Sequence, residues 1–588
     1  MIRSLFVALL LCGGAVAQSF IVRQATVVDG TGAAGRIADV LVQDGRIAKI
    51  GSGLDAPAGT PTIDGRGRTL LPGLFDLHTH LLASAVTGAQ ADWPRTLQAY
   101  LLSGVTTVAD MSTYPEQFEP MRGLIAGGLP APRLILAARF SSPGGHGLEG
   151  GRGDFHTQAV LTPRQARAAV KKTLEYKPGI LKVFTDGWRY GMDTDMTSMD
   201  EATLKAIVEE AHAAGVKVIT HTVSLDKAKI AARAGSDIIG HGVGDALVDA
   251  EWLALMKASG IGYVSTLAVY EPRNLRDLRT PFVQTLLDPT VYSRIQNTTA
   301  PPRPAAVKRW ENLLHNLKVA KDSGVAVGLG TDAGMGGAYH GWSTLRELEL
   351  AAAAGLTPME ALTAATSGSA KLLGIADRGV IAQGKLADMV LVAGKPHESI
   401  ADIFKIERVW LGGVEQSREP VRGVEPPPFA PVELPVMLDD FESQDGRSRI
   451  STLWVNRTDF GHDHTNMVYQ RVAREQGGHA LHVTVVMADK EKPLASMVLP
   501  LSKGAILPAD LTPYRFLDFE VRGEGDYRFE LERPGLGARM SPFSATPKWS
   551  KVRIGLGDQR ATALVFNVER APGEKAWLEI DNLRLVPR

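Results

Sequence analysis

The chain has 588 residues, too many for one ordinary domain, so two or three are expected. Its 64 Lys and Arg balance 64 Asp and Glu, which removes any general electrostatic case for nucleic acid or an anionic membrane surface as partner. A single cysteine excludes a disulfide framework within the chain.

Residues 1–17 read as a secretory signal peptide. Arg3 precedes the apolar run 5–11, and Ala15-Val16-Ala17 offers a cleavage site before Gln18. The run is too short to span a bilayer of about 30 Å, so no transmembrane segment is expected. Cys12 lies inside it, which leaves the mature chain without a thiol to serve as nucleophile or metal ligand. The expectation is an exported protein, periplasmic or secreted.

Residues 18–72 carry short strands, with an Asp44-Gly45 turn marking a hairpin. A second strand-rich piece returns at 379–418, so both flanks are expected to build one small β-sandwich domain. Between them, 73–378 alternates apolar strands with amphipathic helices. Expected strands are 74–80, 106–111, 134–139, 180–185, 217–222, 237–242, 262–267 and 326–331, with helices such as 163–176, 201–214 and 344–354. This is the α/β pattern of a (β/α)8 TIM-type barrel, whose function sits at the C-terminal ends of the strands. The Pro- and Arg-rich stretch 270–309 reads as a lid, and Arg273, Arg276 and Arg279 within it as solvated or as an anion contact. Pro420, Pro426 to Pro428, Pro431 and Pro435 mark a stiff linker at 419–435. From 436 to 588 the alternation is that of an all-β sandwich.

Five of the barrel strands end in chemistry. His78 and His80 point to one face of the first strand, because strand residues alternate sides, and two imidazoles there can chelate a cation. His221 ends the fifth strand, His241 the sixth and Asp332 the eighth. Taken singly, the two later histidines could be satisfied core residues and Asp332 a turn cap. Together on one rim they read as a site. Lys182 sits in Ile180-Leu-Lys-Val-Phe, where burial demands a partner or a depressed pKa; the alternative is a lysine snorkelling to the strand end.

On these motifs the chain resembles the amidohydrolase superfamily, in particular its imidazolonepropionase-like and Xaa-Pro-dipeptidase-like members. The residues are Leu71-Pro-Gly-Leu-Phe-Asp-Leu-His-Thr-His, Gly104-Val-Thr-Thr-Val, Gly144-Gly-His-Gly, Leu181-Lys-Val-Phe, Thr220-His-Thr, Gly240-His-Gly, Gly330-Thr-Asp-Ala-Gly and Gly384-Lys-Leu-Ala-Asp-Met-Val-Leu. The resemblance covers about 19–414. It implies two divalent metal ions, most often zinc, with His78, His80 and Asp332 on one and His221 and His241 on the other. Lys182 would bridge them as a carboxylated lysine. Hydroxide held between the cations would attack an amide or related C–N carbonyl of a small molecule or short peptide, with Asp332 as the catalytic proton carrier. His146 and His340, on loops after strands three and eight, would contact substrate or else pack.

One-metal deaminase relatives place a Glu three residues after the fifth-strand histidine; here that position is Ser224, which favours hydrolysis. Dipeptide-cleaving relatives often carry a tyrosine after the sixth-strand His-Gly, whereas this chain has Val243-Gly244. A lactone or ester hydrolase, and a cell-envelope binding protein acting through its C-terminal domain, stay open as alternatives. Residues from 436 resemble the jelly-roll of complex I intermediate-associated protein 30, on Met437-Leu-Asp-Asp-Phe-Glu, Phe516-Leu-Asp-Phe-Glu-Val-Arg-Gly and Trp577-Leu-Glu-Ile-Asp-Asn-Leu. A glycan or other ligand there, a packing role and a homo-oligomer are all compatible with that piece. His462-Asp-His464 reads as surface.

Overall fold

A computed structural model describes residues 19–81, 93–148, 156–186, 197–419, 430–459, 463–533, 539–557 and 560–588. The expected signal segment, most of the expected linker and His462 lie outside them.

The hairpin expected at Asp44-Gly45 joins strands Arg36–Gln43 and Arg46–Gly51, with both turn residues at positive φ (50° and 74°), as a two-residue turn requires. These strands belong to an eight-stranded sheet assembled from both flanks, which also holds Phe20–Val27, Arg68–Pro72, Met389–Ala393 and Ile406–Leu411. It is one continuous sheet where two facing ones were expected. Backbone bonds from Ile47 N–H to the Lys385 carbonyl and from Ala387 N–H to the Gly45 carbonyl bring the edge strand Arg46–Gly51 against the segment that leads into Met389–Ala393. Curling lets a single sheet enclose its own core of Phe20, Val22, Val40, Leu70, Met389 and Trp410.

The middle of the chain forms a parallel sheet in the order expected of a barrel. Its strands are Leu74–Thr79, Val105–Asp110, Arg133–Ser141, Ile180–Phe184, Lys217–His221, Ile238–Gly240, Gly262–Val264 and Ala326–Val327. Their burial on both faces is what helices covering a parallel sheet produce. Helix starts are conventional: Thr162, Asp200 and Asp249 each accept a hydrogen bond from the backbone three residues on. The seventh strand is shorter than expected, because Leu267 already opens the short helix Leu267–Tyr270. The eighth is also short, yet the barrel closes beyond it. Leu77 N–H donates to Leu329 carbonyl (2.8 Å), Asp332 N–H to His78 carbonyl (2.7 Å) and His80 N–H to Ala333 carbonyl (2.7 Å).

The 270–309 stretch is mostly helical, with Pro281–Leu286 and Pro289–Arg294 preceding the long helix Pro304–Asp322. Leu278, Val283, Leu286 and Ile295 pack on Leu102 and Trp342, so this insertion is anchored to the barrel wall. Arg276 is buried and donates to the carbonyls of Val269, Glu271, Gly336 and Gly337, so the chain itself engages the guanidinium expected to be solvated or to meet an anion. Arg279 donates to the carbonyls of Tyr292 and Ile295.

The C-terminal part holds two antiparallel sheets, of six and five strands, around one core rich in Phe519, Phe529, Phe543 and Phe566, and a short two-stranded pair of Ala509–Asp510 with Arg560–Ala561. It docks on the loop after the second barrel strand. Arg447 makes a paired contact with buried Glu116 (2.7 and 3.0 Å), Tyr176 donates to the same carboxylate, and Gln117 donates to the Gly504 carbonyl. No helix among the described residues is long and apolar enough to cross a membrane.

Candidate metal centre at the barrel rim

Asp76, His78 and His80 share one face of the first strand, and each has a distinct task. Asp76 is fully buried and accepts from the backbone N–H groups of His78 and Thr331 and from the hydroxyls of Thr331 and Thr344. Burial pushes its carboxyl up to about 7 against those four donors. Its role is to staple the 329–333 loop onto the strand that carries the histidines.

That loop delivers Asp332. Its Oδ1 lies 2.8 Å from His80 Nε2 and 3.5 Å from His78 Nε2. The approach is close because Gly330 has no side chain: a Cβ there would sit 2.9 Å from His78 Cβ and 3.0 Å from His78 N. Asp332 adopts φ 59° and His241 φ 87°. Positive φ at non-glycine residues costs on the order of 1–3 kcal/mol each and concentrates at functional sites.

Lys182 is wholly buried and its ammonium nitrogen lies 3.0 Å from His78 Nε2. Burial, first of all, brings its pKa down to about 7, with Asp332 pulling the other way and Arg139 adding to the depression. A neutral amine is therefore available near neutral pH, as uptake of carbon dioxide requires. The ring of His241 stands 4.3 Å from that of His78 and 4.4 Å from that of His221. Burial, reinforced by neighbouring cationic groups, holds His78, His221 and His241 well below the usual histidine range, so all three keep a lone pair.

The residues present fit divalent cations. One ligand atom each of His78, His241 and Asp332 lie within 4.8 Å of one another. His78 Nδ1 is a buried atom without a hydrogen-bond partner, a costly state for a site built for nothing. Neutral imidazoles with carboxylate oxygen suit zinc and related ions. All six residues read from the sequence as ligands thus converge on one rim.

The two expected substrate contacts part company. The His146 ring stands against those of His221 (4.5 Å) and Phe184 (4.8 Å), beside the cluster. His340 lies behind it: its Nε2 meets the His80 carbonyl (2.9 Å), its ring stands edge-on to Tyr100, and burial brings it down to about 4. That contact makes it a brace for the first strand.

Several residues escaped the sequence reading. Thr266, at φ 46°, contacts His241 Nδ1 through its hydroxyl (2.9 Å). Buried Glu347 accepts from the N–H groups of Leu267 and Ala268 and so fixes that turn. Tyr270 stands edge-on to His241 at 5.9 Å. Asp186, at the end of the fourth strand, lies 3.5 Å from His221 Nε2, and burial pushes it up to about 7. Of these only Asp186 had a signal in the sequence, an acidic residue just past a barrel strand, the same signal that marked Asp332.

Comparison with known proteins agrees with this geometry. The Amidohydrolase family matches residues 69–415. The imidazolonepropionase of Deinococcus radiodurans is 25% identical over 413 residues, covering 64% of this chain and 92% of that protein. A crystal structure of a Xaa-Pro dipeptidase with bound methionine superposes with a TM-score of 0.57 at 25% identity, covering 68% of this chain and all (100%) of the other. A crystal structure of A. niger ochratoxinase shares the fold with a TM-score of 0.56 at 24% identity, over 68% of this chain and 96% of its own.

Proposed function

The chain belongs to the amidohydrolase family and is a metal-dependent hydrolase acting on C–N bonds, and from that premise we propose a two-cation enzyme that cleaves an amide bond of a small molecule or short peptide. The observation that carries this reading is the convergence of Lys182 with four histidines and Asp332 in one buried cluster. His78, His80 and Asp332 would hold one ion, His221 and His241 the other, and a carboxylated Lys182 would lie between them. Carboxylation joins the neutral amine nitrogen to the carbon of carbon dioxide and releases one proton. Bound there, divalent cations polarise a carbonyl and bring the pKa of water towards neutrality.

The chain's own residues do the rest. Asp332 would accept a proton from attacking water and return it to the departing nitrogen. The neutral histidines hold position without competing for that proton. His146 and Tyr270, flanking the cluster from two sides, would orient the substrate. The Xaa-Pro dipeptidase and imidazolonepropionase likenesses support a C–N bond as the target. The leader-like residues 1–17 would carry this activity out of the cytoplasm.

The test is a screen of N-acyl amino acids, dipeptides and lactones with zinc-loaded protein, with Asp332→Asn alongside. We expect amide cleavage that a chelator abolishes and that the variant lowers roughly 10²- to 10⁴-fold. Cleavage of lactones alone would overturn the amide assignment, and an Asp332→Asn enzyme equal to wild type would remove the proton carrier.

A further inference from the structure

Asp186 is a buried carboxylate at this rim to which the proposed mechanism gives no task; its side chain is 5% exposed. Its Oδ2 accepts from the backbone N–H groups of Val223 (2.7 Å) and Ser224 (3.1 Å) and from the Ser224 hydroxyl (3.1 Å). Three donors fix the carboxylate on the turn that opens the helix Leu225–Arg233. Its Oδ1 makes no hydrogen bond and lies 3.5 Å from His221 Nε2, itself buried and without one. The residue before it, Thr185, holds the His221 carbonyl through both its N–H (3.3 Å) and its hydroxyl (2.9 Å). The end of the fourth strand therefore addresses His221 twice, at the backbone and at the ring.

We propose that Asp186 is the positioning residue of His221. It accepts the Nε2–H, so the neutral ring carries its proton there and keeps its lone pair on Nδ1 as the ligand atom. A neutral imidazole has one donor and one acceptor nitrogen, and two lone pairs facing each other would repel; the proton settles between them. Metal-binding histidines commonly give their second N–H to a carboxylate, which sets the tautomer. His241 is held at the opposite nitrogen, with Nδ1 on the Thr266 hydroxyl, so it presents Nε2. The two histidines would thus reach the cavity through different atoms, each chosen by its outer partner.

Asp186→Asn makes a sharp test. The three donors around Oδ2 demand an acceptor, so the amide oxygen takes that place and the NH2 turns to His221. The ring must then accept at Nε2 and move its proton to Nδ1, losing the lone pair the site needs. The consequence for metal rests on the two-cation reading; the tautomer does not.

The experiment uses the full chain with ¹⁵N-labelled histidine, reading the His221 tautomer in metal-free protein by long-range proton–nitrogen correlation. The signal is assigned by its absence from His221→Gln, and zinc uptake is titrated in parallel. We expect an Nε2–H tautomer in wild type and the reverse in Asp186→Asn, with the second zinc equivalent bound roughly 10- to 100-fold more weakly. Ser224→Ala removes one donor to Oδ2 and leaves Oδ1 alone, so it should change neither. Nδ1–H in the wild type overturns the proposal, as do undiminished zinc affinity in Asp186→Asn or equal effects from Ser224→Ala. If wild type shows Nε2–H but binds no zinc, the positioning contact stands and the two-cation reading falls. Should Asp186→Asn fail to fold, the wild-type tautomer and the Ser224→Ala titration decide.

Discussion

Replacing Gly330 by alanine adds one methyl group at the point where the eighth-strand loop meets the first strand. That methyl would lie 2.7 Å from Val264 Cγ1, 2.9 Å from His78 Cβ and 3.0 Å from His78 N. Carbon atoms pack at about 3.5–4.0 Å, so the neighbours must give way by roughly 0.6 to 1.3 Å. The His78 backbone yields poorly, because its carbonyl already accepts from Asp332 (2.7 Å) and Thr331 (3.2 Å) N–H groups. Overpacking of this kind costs about 1–3 kcal/mol. A shift of catalytic groups by about an ångström costs on the order of 10²-fold in rate, so a tenfold to 10²-fold loss of kcat/KM is expected. Gly328→Ala is the control. Its methyl meets the ends of the Leu372 (2.8 Å) and Leu77 (2.9 Å) side chains, not the backbone of a ligand residue. Urea unfolding, zinc titration and steady-state kinetics on both variants separate the two. Full activity in Gly330→Ala, or equal loss of activity in Gly328→Ala, would refute the reasoning.

Arg447→Met should destabilise the protein by about 3–5 kcal/mol, since it leaves the Glu116 carboxylate, 3% exposed, without its counter-charge. Adding Glu116→Gln should recover most of that loss in a double-mutant cycle followed by chemical denaturation. Acid should weaken the chelated protein. Burial holds His340 near 4, and His78, His221 and His241 well below 6.5, whereas the unfolded chain protonates near 6.5. The unfolded state then binds more protons below 6.5, so stability present above that pH is lost as pH falls towards 4. Denaturation at a series of pH values should show this slope, with His340→Asn lowering it by up to one proton; a flat profile would contradict the neutral rings.

What could be read from the chain beforehand follows a physical divide. The His-x-His pair, the strand-end histidines and the Thr-Asp-Ala-Gly loop were legible because a barrel sends strand ends to one rim, whatever the side chains do afterwards. Lys182 was legible because an apolar strand makes a charge expensive. Direction was not legible. His340 follows the eighth strand as expected, yet its loop, bound by the His80 carbonyl, turns the ring behind the site. Glu347 gave no signal, since its task is set by a turn 80 residues earlier that only the folded chain brings to it. The flanking sheet was found in outline, but alternation within strands cannot tell two sheets from one that curls.

The unusual backbone at the rim and the missing hydrogen bonds belong to one design. Thr266, His241 and Asp332 all adopt positive φ, and each lies at a place where the chain must aim a side chain across the barrel mouth. A relaxed backbone would let Asp332 drift from His80 and would turn the His241 ring off its hydroxyl partner. The restraint comes from outside the cluster, from Asp76 on the 331 loop, Glu347 on the 266 turn and His340 on the His80 carbonyl. These groups overdetermine positions that local preference opposes, which is the condition under which strain persists. The atoms they aim crowd together: Asp332 Oδ1 lies 2.8 Å from His80 Nε2, and Lys182 Nζ 3.0 Å from His78 Nε2. Holding several lone pairs this close costs free energy that a bound cation would offset, so the groups that aim them are as much a part of the site as the ligands they hold.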